Sequence, residues 1–131
     1  MYKFNDDFDE TYKLGVRYLH GIGVSRDLEK ALIYLKYSAN QGSVRAEISL
    51  AFMYFDGIGV EQNKPKAFIR FKFLADEEYH SRAQLMVGMI YEYGEGGREN
   101  VEKALKYYKK SAEQGNIDAK NKLKWYEVDS K

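Results

Sequence analysis

The chain has no cysteine in its 131 residues. A disulfide framework, a thiolate nucleophile and a cysteine zinc site are therefore excluded. It has a single proline, so little in it interrupts a helix. Charge of one sign is also missing: 21 basic and 20 acidic side chains leave a net charge of +1. Nucleic-acid binding usually shows a clear basic excess, and none is present. No apolar run approaches the roughly 20 residues that span a bilayer. The opening "MYKFNDDFDE" is acidic and lacks the apolar core of a secretory signal. The expectation is a cytoplasmic protein with no membrane, nucleic-acid or metal partner and no cofactor.

What the chain does have is aromatic and repetitive. Aromatic residues make up 15% of it, including 12 tyrosines, which argues against disorder. Gly21 recurs as Gly57 and Gly94, at intervals of 36 and 37 residues. Tyr18, Tyr54 and Tyr91 keep the same register, as do Ala31, Ala67 and Ala104. Ala39, Ala75 and Ala112 form a further series, and Ala46, Ala83 and Ala119 another, with Glu10 in its first place. Several independent series in one register mark a repeat protein.

Within each unit the spacing is helical. Ala46, Leu50, Met53 and Tyr54 lie at i, i+4, i+7 and i+8, and Ala83, Val87, Ile90 and Tyr91 reproduce that face. A second helix follows, with Ala31, Tyr34, Leu35 and Ala39 on one side in the first unit. Asp27, Asn63 and Asn100 stand four residues before the alanine of each second helix, where a short acceptor side chain caps free N–H groups. Gly42 and Gly115 suit left-handed helix ends. The middle unit has "DEEYH" and one extra residue there, so its turn is expected to differ. A lone helix pair cannot bury its apolar face, so such units stack on their neighbours.

The segments "LGVRYLHGIGVSRDLEKALIYLKYSANQG", "AEISLAFMYFDGIGVEQNKPKAFIRFKFLA" and "AQLMVGMIYEYGEGGRENVEKALKYYKKSAEQG" share one pattern. It resembles the Sel-one-like repeat, a relative of the tetratricopeptide repeat. Glu10 in place of the first alanine, Gly97 in place of valine and the missing middle glycine depart from it. The expected architecture is all-α: a superhelical solenoid of three helix-pair units (7–42, 43–79 and 80–115) and a capping helix over 116–128, one domain in all. The resemblance implies a protein-binding adaptor or scaffold and carries no catalytic set.

Other chemistries are weaker. Gly-x-Gly without a third glycine, after a helix and repeated, is a turn rather than a dinucleotide cradle. His20 and His80 lie in different units and read as surface residues, short of the three or four ligands a metal needs. The acidic clusters Asp6, Asp7, Asp9 and Glu10, and Asp76 to Glu78, supply the competing reading, a hydrolase using paired carboxylates. No nucleophile–base pair accompanies them. Lys103, Lys106, Lys109, Lys110, Lys120, Lys122 and Lys124 read as a solvated outer face.

By analogy with tetratricopeptide-like superhelices, the first helix of each unit lines a concave surface. That places Tyr12, Val16 and Leu19, then Ile48, Phe52 and Phe55, then Leu85, Met89 and Tyr93 toward a groove. His20, Asp56, Glu92, Asn121, Trp125 and Asp129 share those positions, and Arg45 and Arg82 flank them. Two accounts of this second apolar face stand side by side: burial against adjacent units, and a partner-binding groove. The functional expectation is a module that binds another protein, as an adaptor or as an immunity-type inhibitor that occupies a toxin or enzyme. The sequence leaves the oligomeric state open.

Overall fold

The computed structural model describes residues 8–95 and 99–129. Among them are seven α-helices: α1 Phe8–His20, α2 Leu28–Asn40, α3 Val44–Asp56, α4 Lys64–Asp76, α5 Ser81–Tyr93, α6 Val101–Glu113 and α7 Ile117–Asp129. No strand occurs among the described residues. Asp6, Asp7 and Gly97 lie outside them. Two compact units divide the chain, one ending at Ala67 and the other starting at Phe68, with the division inside α4.

The first unit is built on α1 against α2 and α2 against α3. Leu35, Ala39, Ala46, Leu50 and Met53 form its buried cluster, with Tyr12, Leu19, Leu32, Ile58 and Val60 packed against it. In the second unit α5 packs on α6 and α6 on α7. Phe71, Leu74, Val87, Ile90, Tyr108 and Ala119 are buried there.

Each helix pair is joined by the same device. Gly21, Gly57 and Gly94 take left-handed φ values of 67°, 69° and 70°, which a side chain would strain. The backbone N–H groups of Asp27, Asn63 and Asn100 then donate to the carbonyls of Tyr18, Tyr54 and Tyr91 at 2.8–2.9 Å. Their side chains accept from Lys30, Lys66 and Lys103 N–H, each at 3.0 Å. Every second helix is thus capped from the residue type its start requires, a contribution of about 1 kcal/mol each. The ammonium groups of Lys30, Lys66 and Lys103 lie 5.2, 4.2 and 5.5 Å from the ring centres of those same tyrosines. The lysine–alanine pair of each unit therefore does two jobs: the alanine is buried and the lysine covers an aromatic face.

The turns between units differ as the extra residue requires. Ser43 N–H donates to Ser38 and Asn116 N–H to Ser111, five residues back, around Gly42 and Gly115 with φ of 103° and 94°. In the middle, His80 N–H reaches six residues back to Leu74. Tyr79 takes the glycine's place at φ 51°, the single non-glycine residue with positive φ among those described.

One expectation is corrected here. His80 is not a free surface histidine: its Nδ1 accepts from Ala83 N–H at 3.3 Å and caps α5. Ser43 and Asn116 do the same for α3 and α7. Burial and then the positive charge of Arg82 hold the His80 pKa below its ordinary value, which keeps the accepting neutral form in place.

Candidate functional site: the α5–α7 groove

The sequence-predicted surface residues fall into two groups. In the first unit most are already engaged. Arg45 stands 4.6 Å from the Tyr12 ring centre and 3.4 Å from Asp9 Oδ1. Leu19 is packed on the core, Ile48 is only 8% exposed, and Lys64 lies 5.2 Å from the Phe55 ring centre. Val16 and Phe52 are half-buried. Burial and local pairing account for much of this surface.

In the second unit, Leu85, Met89 and Tyr93 of α5 meet Asn121 and Trp125 of α7 across one open groove of about 610 Å³. Their spacing explains why. Positions 85, 89, 92 and 93 lie on one α5 face, and 118, 121, 122 and 125 on one α7 face. Leu85 forms the floor at 8% exposure, whereas Tyr93 and Trp125 are each 59% exposed at the rim. Arg82 is exposed but does not line the groove. The side chain of Asp129 lies outside the described residues.

Glu92 organises the groove wall. Its carboxylate accepts from Tyr108 Oη, from Tyr126 Oη at 2.7 Å and from Lys122 Nζ at 3.1 Å, with 11% of the side chain exposed. Lys122 also donates to Tyr93 Oη. Burial pushes the Glu92 carboxyl upward, but the hydrogen bonds from Tyr108, Tyr126 and Lys122 outweigh it and hold it below the usual carboxylate range. Burial first, then the bond to Glu92, raises the Tyr108 phenol. Lys122 loses some basicity to burial and gains more from Tyr93 and Glu92, so its pKa is raised overall. These shifts favour the carboxylate form of Glu92 and the protonated forms of Tyr108 and Lys122. The cluster fastens α7 to α5.

Reading Lys122 as part of a solvated face was therefore wrong, because contact with Glu92 and Tyr93 draws it into the wall. The acidic cluster at the end of α4 also changes meaning. Asp76 accepts from Lys72 at 2.7 Å and from Tyr107 at 2.8 Å. Burial and the bond to Asp76 push the Tyr107 phenol up to about 12. Asp76 is a structural acceptor, and Glu77 and Glu78 are exposed beside it.

A further close approach escaped the sequence reading. A Cβ on Gly88 would stand 2.6 Å from Tyr108 Cε1, and one on Gly15 2.9 Å from Leu35 Cγ. These equivalent glycines let the two helices approach closely in the first and third pairs, where the middle pair has the buried Ala51.

The family model for the Sel1 repeat matches residues 11–43, 44–69 and 81–116. The chain belongs to the Sel1 repeat family. A Sel1 repeat protein from Oxalobacter formigenes is 33% identical, with a TM-score of 0.77 over 90% of this chain and 88% of that one. A protective antigen of uropathogenic Escherichia coli displaying an SLR fold is 35% identical, with a TM-score of 0.82 over 90% of this chain and 25% of that chain. The all-α repeat fold expected from the sequence is thereby shown. Sel1 repeats are in general protein–protein interaction scaffolds, typically without enzymatic activity. In Sel1 terms the groove lies between the first helix of the third repeat and the helix that follows the third repeat.

Proposed function

We propose that this Sel1 repeat protein binds a partner protein through the α5–α7 groove, as an adaptor or as an immunity-type inhibitor that blocks a toxin or enzyme. The observation that carries the reading is the pair of rim aromatics, Tyr93 and Trp125, each 59% exposed above the apolar Leu85 and Met89. Such concave apolar surface with polar groups fixed around it is the usual form of a binding site. Aromatic and methionine side chains are enriched at protein interfaces. The remaining positions expected at the interface, Tyr12, Val16, Leu19, Arg45, Ile48, Phe52, Phe55 and Arg82, do not line this groove.

No cofactor is part of this reading, and neither is catalysis: Asp76 and Glu92 are both spent on structural hydrogen bonds. No described helix is long and apolar enough to cross a membrane. The proposed setting is the cytoplasm, with another protein as the partner. Affinity purification from the native host, with wild-type and Met89→Asp baits compared side by side, tests it. A partner retained by wild type and lost by the variant supports the groove. The inhibitor role requires in addition that the retained partner's own activity falls when the complex forms.

A further inference from the structure

The groove's polar groups divide into those already satisfied and those left open. Glu92 and Lys122 answer one another and Tyr93 Oη accepts from Lys122, so the charges of this wall are already paired. Three groove side chains with polar atoms have no hydrogen bond or ion pair among the described residues: the exposed carboxylate of Asp118, the exposed amide of Asn121 and the indole of Trp125. Asn116 already caps α7, so Asp118 is not needed for that role. Arg82, which occupies the position on α5 equivalent to Asp118 on α7, is already engaged within the protein. With Glu92 and Lys122 cancelling, Asp118 in the first turn of α7 leaves the groove lining with one net negative side-chain charge beside an apolar floor.

We propose that the α5–α7 groove takes an extended peptide segment of a partner protein, one that carries a basic side chain for Asp118 and an apolar side chain for Met89 and Trp125. This rests on the groove being the binding site. Asn121 stands between the two ends, and its amide has both a donor and an acceptor free. An extended backbone offers an unpaired N–H and C=O to such an amide, whereas a helical one has used its own. The spacing follows from the helix. Asp118 and Trp125 are seven residues apart on α7, about 10 Å at 1.5 Å per residue. A strand advances about 3.3 Å per residue, so the basic and apolar residues of the segment are about three positions apart.

The test uses the full chain as bait for a displayed library of random twelve-residue peptides. Retained sequences are expected to carry Lys or Arg about three positions from Leu, Ile, Phe or Trp. Their binding is expected to change the emission of Trp125, the chain's one tryptophan, and to weaken about tenfold in Asp118→Asn. Asp118→Lys should select acidic sequences instead. Helical circular dichroism of each variant confirms the fold. Acidic or uncharged sequences on wild type, or unchanged affinity for Asp118→Asn, overturn the basic-segment inference. If Met89→Asp still abolishes binding in that case, the groove reading survives alone. If no peptide is retained, or binding leaves Trp125 emission and the Met89→Asp variant unaffected, both fall.

Discussion

Lys122 on α7 places its ammonium 3.1 Å from the carboxylate of Glu92 on α5, and that contact joins the capping helix to the third repeat. Tyr108 and Tyr126 complete the acceptor's shell. Replacing Glu92 by Gln keeps the shape but removes the charge that all three donors address. A loss of about 1–3 kcal/mol is expected, since hydrogen bonds to a charged group are worth that much. Urea unfolding at pH 7 measures it. Because the folded-state pKa of Glu92 is depressed, its contribution is present above the unfolded value of about 4.3 and is lost as pH falls toward the folded value. Wild type should therefore lose more stability than Glu92→Gln between pH 5 and pH 3.

Gly88→Ala adds a carbon where Tyr108 leaves no room. Alanine is the better helix former by about 1 kcal/mol. The clash decides the sign, because the obstruction is a fully buried ring and not the end of a flexible chain. A net destabilisation of about 1–3 kcal/mol is expected in denaturant unfolding. Increased stability would show that the Tyr108 ring can move aside.

Tyr79→Gly should stabilise the protein. Tyr79 holds φ 51° while 69% exposed, so its side chain gains little packing to offset the left-handed backbone. Relief of about 1 kcal/mol raises the melting temperature by about 3–6 °C. The Gln114 bond to the Tyr79 carbonyl is to backbone and survives the change.

His80 gives a second pH dependence. Its Nδ1 accepts a backbone N–H, so protonation removes the cap. The folded-state pKa is depressed, so the stability it brings is present above the unfolded value of about 6.5 and declines as pH falls below it. His80→Asn retains an acceptor that does not titrate. The variant should match wild type at pH 7.5 and exceed it at pH 5.5 in thermal melts.

The repeat length, helix pairs and second-helix caps were legible because they are local. Gly21, Tyr18 and Asp27 act within one unit, and each recurs in register. His80 was missed because imidazole is an uncommon cap, although its place three residues before Ala83 matches that of Ser43 before Ala46. The groove was legible in part. Helical spacing put Leu85, Met89 and Tyr93 on one face, and the family analogy turned that face toward Trp125. The roles of Lys122 and Asp118 were not legible, because they depend on which α7 side chains reach α5. In composition they are two more surface charges. Gly88 was hidden for the same reason, since Tyr108 lies 20 residues away on the next helix.

The α5–α7 groove is proposed as the place where this protein binds its partner. Trp125→Glu tests it most directly, because the ring is exposed and its loss leaves the core intact. The measurement is quantitative co-purification from the native host with wild-type and Trp125→Glu baits of equal helical circular dichroism. A partner enriched on wild type and reduced at least tenfold on the variant is expected. An identical set of proteins at equal abundance on both baits would contradict it.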